Sequence, residues 1–205
     1  MKRFLIGILA FLCVISCGRA ISVLDRDFKL DSVLEVEGRQ GVATDGEYYY
    51  VSGSTALYKY DMKGNLITKN ETPFKDLALE CNHIGDIDEY NGELYAGCEY
   101  FLDGVGKNIQ TAIYDAVTLE YKRSIRWVPE SGQVECCGLA VDRERQEVWM
   151  ADWVQGSELY CYDLKSGKYL RNLTLSPAPK LQQGIYCVDG QMLISCDDGD
   201  AEKGE

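Results

Sequence analysis

The sequence predicts an all-β protein, a β-propeller built of four-stranded antiparallel blades, of which about three and a half are present. Short strands of alternating apolar residues recur, separated by turns rich in Asp, Gly, Lys and Ser. A glycine begins each unit, at spacings of 44, 53 and 46 residues between Gly41, Gly85, Gly138 and Gly184. Repeats of about 40 to 50 residues with four strands each are typical of propeller blades.

A second repeated feature is a Tyr-Asp pair near the end of the third strand of each unit. The pairs are Tyr60-Asp61, Tyr114-Asp115 and Tyr162-Asp163. An immunoglobulin-like sandwich also has many short strands, but it does not repeat a Gly and a Tyr-Asp at matched offsets. The predicted blades are therefore residues 40–82, 83–135, 136–182 and, in part, 183–205.

The first 17 residues predict a signal peptide. Lys2 and Arg3 precede an apolar run, Phe4 to Ile15, that is too short to span a bilayer. The run ends in VISC, which resembles the lipobox of bacterial lipoproteins and predicts lipidation of Cys17. We therefore expect an exported protein, anchored by lipid to the outside of the cytoplasmic membrane. Ordinary cleavage after Ala20, giving a fully secreted protein, is the alternative.

Residues 18–39 form an N-terminal segment whose alternating apolar positions predict one strand, Leu30 to Glu37. This strand has no hairpin partner before it, so we expect it to close the last blade. The sequence ends inside the fourth unit, which indicates a truncated propeller whose ring is completed by missing blades or a partner chain. A four-bladed ring closed by the N-terminal strand is the alternative, with one strand still lacking.

The net charge of the chain argues against polyanionic partners such as nucleic acids. Without residues 1–17 the chain has 19 basic and 33 acidic side chains, because Lys2 and Arg3 are removed from 21 basic residues, so the net charge is −14. Such a chain is repelled by phosphate backbones and anionic head groups. We expect no nucleic-acid binding, and membrane association only through the lipid anchor.

Seven cysteines lie beyond residue 17, and an exported protein permits disulfides between them. Two bridges are plausible, one between Cys81 and Cys98 of a single blade and a vicinal one between Cys136 and Cys137. The alternative is that these cysteines are free thiols that pack as small apolar side chains. The absence of a C-x-x-C motif argues against a standard zinc site.

Candidate functional residues come from the meander itself. The start of the first strand and the end of the second lie at the same end of a blade, so these positions gather around one axial mouth. The candidates there are acidic or aromatic side chains and one histidine: His83, Asp86, Glu99, Glu135, Asp152, Trp153 and Asp197. If His83 is a general base, Asp86 or Glu135 is its expected partner.

Three interpretations of this mouth remain open. It could hold a divalent cation such as calcium, since hard cations take several carboxylate oxygens. It could bind a small molecule, peptide or protein through aromatic faces and a few polar groups. The acids could also only cap strand ends and keep the surface soluble.

Two motifs carry a resemblance to a known group: QG or IG at the start of a strand (Gln40-Gly41, Ile84-Gly85, Gln183-Gly184) and LYxYDxxxG later in the unit. From Gln40 onward the chain resembles exported bacterial β-propellers of the NHL, YVTN and quinoprotein-like group, and distantly the plant-type glutaminyl cyclotransferases. The resemblance implies either a binding module or an enzyme, a metal-dependent lactonase-like hydrolase or a glutaminyl-cyclotransferase-like transferase. In the transferase, Glu99 or Glu135 would be the acid-base group.

Overall fold

A computed structural model of the chain describes residues 29–153 and 156–197. The predicted signal peptide and Cys17 lie outside this part. The described residues form three four-stranded antiparallel sheets and one two-stranded sheet. The first sheet consists of β1 (Gly41–Thr44), β2 (Tyr48–Gly53), β3 (Ala56–Asp61) and β4 (Leu66–Asn70), and the second of β5 (His83–Tyr90), β6 (Glu93–Leu102), β7 (Val105–Asp115) and β8 (Tyr121–Arg126). The third consists of β9 (Gly138–Asp142), β10 (Glu147–Ala151), β11 (Glu158–Asp163) and β12 (Tyr169–Thr174). The fourth consists of β13 (Gln182–Val188) and β14 (Gln191–Cys196) among the described residues. A 3-10 turn, Pro129–Ser131, follows β8.

The repeated Tyr-Asp pairs have a local explanation. Each Tyr is buried in the core, whereas each Asp begins the turn that leads into the fourth strand. Asp61 shows the pattern, since its Oδ1 accepts hydrogen bonds from the backbone N–H groups of Lys63 and Asn65. The side chain of Asn65 also donates to Asp61, and this bond lowers the pKa of the carboxyl. An Asx-type turn of this kind favours Asp and Gly at fixed offsets.

Side chains between neighbouring sheets form three successive cores. Tyr50 and Leu57 of the first sheet pack with Tyr114 of the second. The next core joins the second and third sheets, and the last joins the third and fourth. Each sheet is thus covered face to face by the sheet of the next unit, which is the stacking of propeller blades.

The first strands of the sheets lie next to each other around the axis. The backbone N–H of Ile84 donates to the carbonyl of Ser54, and that of Asp86 donates to the carbonyl of Cys137. A Cβ atom at Gly85 would lie 2.6 Å from the Cys136 carbonyl oxygen. Glycine therefore begins the unit because no side chain fits between these strands. The predicted fold class, an all-β propeller of four-stranded antiparallel blades, is confirmed.

The predicted N-terminal strand is wrong for the described residues. Residues 29–40 contain no strand, and Leu30 and Val33 are 84% and 81% exposed. The segment instead follows the first sheet, where the Glu37 N–H donates to the Tyr60 hydroxyl. Alternation alone does not make a strand, because a strand also requires a neighbour for its ladder of hydrogen bonds.

Neither of the two plausible disulfides is formed in the structure, where all seven described cysteines are free and five of them are buried. Cys136 packs in the core between the second and third sheets, whereas Cys137 packs in the core between the third and fourth. Successive side chains of an extended chain point to opposite faces, so these two thiols cannot meet. The Cys81 thiol accepts a hydrogen bond from the Gln110 amide instead of bonding to Cys98. The alternative of free thiols as apolar packing fits the structure.

No helix within the described residues is both long enough and apolar enough to cross a membrane.

Candidate functional site: a carboxylate cluster and an axial cleft

The cluster begins at a cross-strand pair in the second sheet. His83 at the start of β5 lies opposite Glu99 near the end of β6. The His83 Nδ1 atom is 3.3 Å from Glu99 Oε1, and the Glu99 side chain is completely buried. The expected partners of His83 were Asp86 and Glu135, and this expectation is wrong. Glu99 takes that place because the register of β5 and β6 puts the two side chains directly opposite each other.

Glu99 also connects the second sheet to the third. Its other oxygen, Oε2, accepts a hydrogen bond of 3.0 Å from the backbone N–H of Cys136. The carboxylate has room there because position 106 is a glycine, and a Cβ atom at Gly106 would overlap Glu99 Oε2. Both oxygens of Glu99 are therefore used inside the protein.

Glu135, before β9, and Asp152, after β10, continue the cluster beside the third sheet. Asp152 Oδ1 accepts from the backbone N–H of Glu135 at 3.1 Å, and Asp152 Oδ2 accepts from the Tyr160 hydroxyl at 2.7 Å. Glu135 Oε2 in turn accepts from the backbone N–H of Trp153. One chain of hydrogen bonds thus ties the segment before β9 to the segment after β10.

The cluster contains more carboxyl groups than it can readily ionise. Burial, followed by the negative charge of Glu99, raises the pKa of Glu135 to about 8. Burial also raises the pKa of Asp152 to about 6, although the hydrogen bond from Tyr160 opposes the shift. Like charges close together in a buried site disfavour the ionised form. At neutral pH Glu135 therefore holds a proton in the folded protein.

A cleft of about 620 Å³ separates the first sheet from the fourth. One wall comes from β1 and β2 with the residues that precede them, and the other comes from β13 and β14. The apolar part of its lining consists of Val36, Val42, Ile185, Tyr186, Leu193 and Ile194. Polar groups are supplied by Arg39, Gln40, Gln183, Ser195 and Asp86. This combination of apolar walls and a few polar groups is typical of ligand-binding clefts.

Asp86 stands between this cleft and the inner strands. Its Oδ2 accepts hydrogen bonds from the backbone N–H of Leu139 in β9, at 3.3 Å, and of Ile185 in β13, at 3.0 Å. Its Oδ1 accepts from the N–H of Ile87 at 2.9 Å. Burial raises the pKa of Asp86 to about 7. One side chain of the second sheet thus joins the third and the fourth at the axis.

The structure places the seven candidate residues in three locations. Five of them form the carboxylate cluster, in which each is connected to the next by a hydrogen bond or through a residue adjacent in sequence: His83, Glu99, Glu135, Asp152 and Trp153. Asp86 lies in the wall of the cleft. Asp197 follows β14, where its N–H donates to the carbonyl of Leu181. The carboxylate cluster and the cleft are therefore two separate features of the axial region.

The suggested cation site finds no geometric support here. The described part of the chain contains no group of three or more His, Cys, Asp or Glu side chains arranged to hold a metal ion. Glu99 and Asp152 already accept hydrogen bonds with both of their oxygens. Calcium binding stays a prediction.

Sequence reasoning missed two residues of the cluster. Tyr160 was not among the candidate residues, although its place in the LYxYD motif fixed it next to β10. Gly106 gave no signal, because it matters only through its closeness to the carboxylate of Glu99. Such a contact depends on the tertiary arrangement and not on local pattern.

No protein-family model matches the chain, and no curated protein matches it. Among solved structures it is similar to the computationally designed Ika4 protein, 13% identical, with a TM-score of 0.51 over 84% of this chain and 96% of that chain. A chain of the Nidogen/Laminin complex is 15% identical, with a TM-score of 0.50 over 76% of this chain and 54% of that chain. The β-propeller domain of Cps50 (Swd1) from Myceliophteria thermophila is 15% identical, with a TM-score of 0.46, over 72% of this chain and 46% of that chain.

These similarities concern the fold alone, because identities this low carry no information on activity. The chain spans nearly the whole of the designed protein but only about half of the two natural ones.

Proposed function

We propose that this protein is an exported, lipid-anchored β-propeller that binds a small molecule, a peptide or a protein partner in its axial cleft. The observation that supports this proposal is the 620 Å³ cleft between the first and fourth sheets. A propeller is consistent with a scaffold for ligand or protein binding, and grooves between structural units are common sites of recognition. We also propose that the protein is related to the exported bacterial propellers that its sequence resembles.

The cleft is a better binding site than the carboxylate cluster. The polar groups of the cluster satisfy each other, so a ligand would have to break hydrogen bonds that are already made. The cleft has exposed apolar side chains, with Val42 65% and Tyr186 46% exposed. Arg39 supplies a positive charge in an otherwise acidic protein. Apolar contacts would therefore provide affinity, and the few polar groups would orient the ligand.

The test is to block the cleft without disturbing the core. Val42→Trp adds a bulky side chain at an exposed position of the cleft wall, and Val117→Trp is the matched control because Val117 is 70% exposed in a turn of the second sheet. Thermal-shift screens of the full chain would use defined oligosaccharides and a set of random hexapeptides. We expect compounds that stabilise the wild type and Val117→Trp but bind Val42→Trp at least about tenfold more weakly.

Cleft binding is contradicted if Val42→Trp and Val117→Trp respond equally to every compound that stabilises the wild type. Recognition of these compounds would then take place elsewhere on the protein.

Anchoring is tested separately, in a bacterial host that processes lipoproteins. Cys17→Ser is expected to abolish lipid incorporation and to release the protein from the membrane fraction, because the modified sulfur is removed. Cys13→Ser, inside the same apolar run, is the matched control and is expected to remain lipid-modified. Metabolic labelling with a fatty acid distinguishes the two. Equal labelling of both variants would contradict anchoring through Cys17.

An enzyme on the same fold is the second candidate. The observation that favours it is the buried Glu135, whose pKa of about 8 is suited to proton transfer near neutral pH. On this hypothesis Glu135→Gln would abolish turnover of a lactone or an N-terminal glutaminyl peptide while its binding persists. Wild-type protein without turnover of either substrate class would contradict the hypothesis.

A further inference from the structure

Arg39 is a cation without a partner in an acidic protein. It is exposed, and within the described residues its guanidinium takes part in no ion pair and no hydrogen bond. Most other arginines that the structure describes pair with a carboxylate, namely Arg123, Arg143, Arg145 and Arg171. The chain contains 33 acidic residues, so Arg39 is not unpaired for want of acids. Its guanidinium is therefore available to an anion from outside the chain.

Arg39 lies where two cavities meet. Together with Gly38 and Gln40 it lines both the axial cleft and a second cavity of about 330 Å³. The second cavity is completed by residues 53–56, the turn between β2 and β3, and by Tyr58. Its lining carries hydroxyl groups, whereas the cleft has apolar walls. A guanidinium shared by the two cavities suits a ligand with an apolar body and a polar head.

Ser54 adds a hydrogen-bond donor to the lining of the second cavity. Its Oγ accepts a hydrogen bond of 3.1 Å from Nε2 of Gln40, the residue next to Arg39. A hydroxyl that accepts still has its own hydrogen to donate, and in the described part of the chain no acceptor takes it. An anionic head at this place would therefore find donors from both Arg39 and Ser54.

Asp86, the other charged residue in the described lining of the cleft, does not neutralise Arg39. It is only 8% exposed, and its oxygens accept hydrogen bonds from the backbone N–H groups of Ile87, Leu139 and Ile185. Burial also raises the pKa of Asp86 to about 7, so its negative charge is incomplete at neutral pH. The charge that a ligand meets in the cleft is therefore that of Arg39.

This charge balance favours a head with one negative charge. Among the described residues the second cavity adds no charged side chain to Arg39. A phosphate monoester carries about −1.5 to −2 charges at pH 7, so part of its charge would stay unpaired in a chain that is itself negative. A carboxylate matches one guanidinium both in charge and in the spacing of its two oxygens.

We propose that the axial cleft takes a small organic monocarboxylate with an apolar body, whose carboxylate binds Arg39 and Ser54 while its body lies between the apolar walls. This inference rests on the proposed cleft binding and names the class of ligand. The walls, with Val42 on one side and Ile185 and Leu193 on the other, would supply most of the affinity. Arg39 would select the acid and fix its orientation.

The probes are phenylbutyrate and its uncharged amide, phenylbutyramide, titrated into the full chain at pH 6 and followed by NMR. At this pH the acid is ionised, because a simple carboxyl group has a pKa near the Glu value of roughly 4.3. We expect the wild type to bind the acid about fivefold more tightly than the amide, with a dissociation constant on the order of 1 mM.

Substitutions locate this preference. Arg39→Gln is expected to remove it by weakening the binding of the acid alone, and Ser54→Ala is expected to reduce it about twofold. Arg126→Gln is the matched control, because Arg126 in β8 is exposed and forms no ion pair within the described residues. It is expected to keep the full preference for the acid.

Four results would overturn carboxylate recognition. The acid and the amide bind the wild type equally, the preference survives Arg39→Gln, phenylbutyl phosphate binds more tightly than phenylbutyrate, or the acid does not bind at about 10 mM. Binding of the tripeptide Gly-Leu-Phe through Arg39, without binding of phenylbutyrate, would also overturn the proposal. The ligand would then be the C-terminus of a polypeptide.

Val42→Trp separates this proposal from cleft binding itself. If the wild type binds acid and amide equally and Val42→Trp binds neither, the cleft takes ligands without selecting a carboxylate. If Val42→Trp binds both compounds as tightly as Val117→Trp does, cleft binding fails. The two proposals can therefore be rejected separately.

Discussion

Asp86→Ala is expected to lower the free energy of unfolding by about 3 kcal/mol at pH 4. The substitution leaves the N–H groups of Leu139 and Ile185 without their shared acceptor, and each buried unsatisfied N–H costs about 1 to 3 kcal/mol. At pH 4, close to the ordinary value of 3.8 and well below the Asp86 pKa of about 7, proton uptake on folding offsets little of this loss. Urea denaturation followed by tyrosine and tryptophan fluorescence measures the change. A loss of this size is a large part of the total stability of a domain.

Two further variants identify the cause. Asp86→Asn keeps an oxygen at the same position and is expected to lose less than half as much as Asp86→Ala. Glu120→Ala, at an exposed turn position, is expected to change stability by less than about 0.5 kcal/mol. If Asp86→Ala is as stable as Glu120→Ala, the carboxylate does not join the sheets.

Glu135→Gln is expected to stabilise the protein at pH 9 by about 2 kcal/mol and to change its stability little at pH 5. In the folded protein Glu135 keeps its proton up to about pH 8, whereas in the unfolded chain it ionises near its ordinary value of 4.5. Between these values the folded state binds more protons, so wild-type stability falls as the pH rises. Glutamine removes that loss because it cannot ionise.

Other buried carboxyl groups contribute to the same profile. The pKa values of Asp152, about 6, and of Asp86, about 7, are also raised by burial, so wild-type stability is expected to fall progressively from about pH 4 to about pH 8. Denaturation curves at four pH values would compare the wild type with Glu135→Gln and with Glu144→Gln, an exposed control. Parallel profiles for all three proteins would contradict the raised pKa of Glu135.

The parts of the fold that sequence could predict are the parts with local causes. The Tyr-Asp pairs mark turns whose hydrogen bonds lie within a few residues, as at Asp61, and the glycines mark contacts that admit no side chain, as at Gly85. The strand predicted at Leu30 to Glu37 was wrong because alternation says nothing about whether a neighbouring strand is available. Local pattern therefore predicted strands and turns well and pairing less well.

Sequence could likewise predict some features of the candidate site and not others. The meander placed His83, Glu99, Glu135 and Asp152 at one end of the blades, and the structure joins them there. The partner of His83 depended on the register of β5 and β6, which includes an irregularity between Ile84 and Ile87 that no composition indicates. The cleft could not be predicted, because its walls come from the first and last sheets and depend on how far apart these stand.

The most direct test of the account is the pKa of Asp86, measured by a carbon-13 NMR titration of its carboxyl carbon. The signal is assigned by its loss in Asp86→Asn. The account predicts titration near pH 7, because the carboxyl group is buried between β5, β9 and β13. Titration near the ordinary value of 3.8 would contradict the account, because the cost of burial would then not dominate at this carboxyl group.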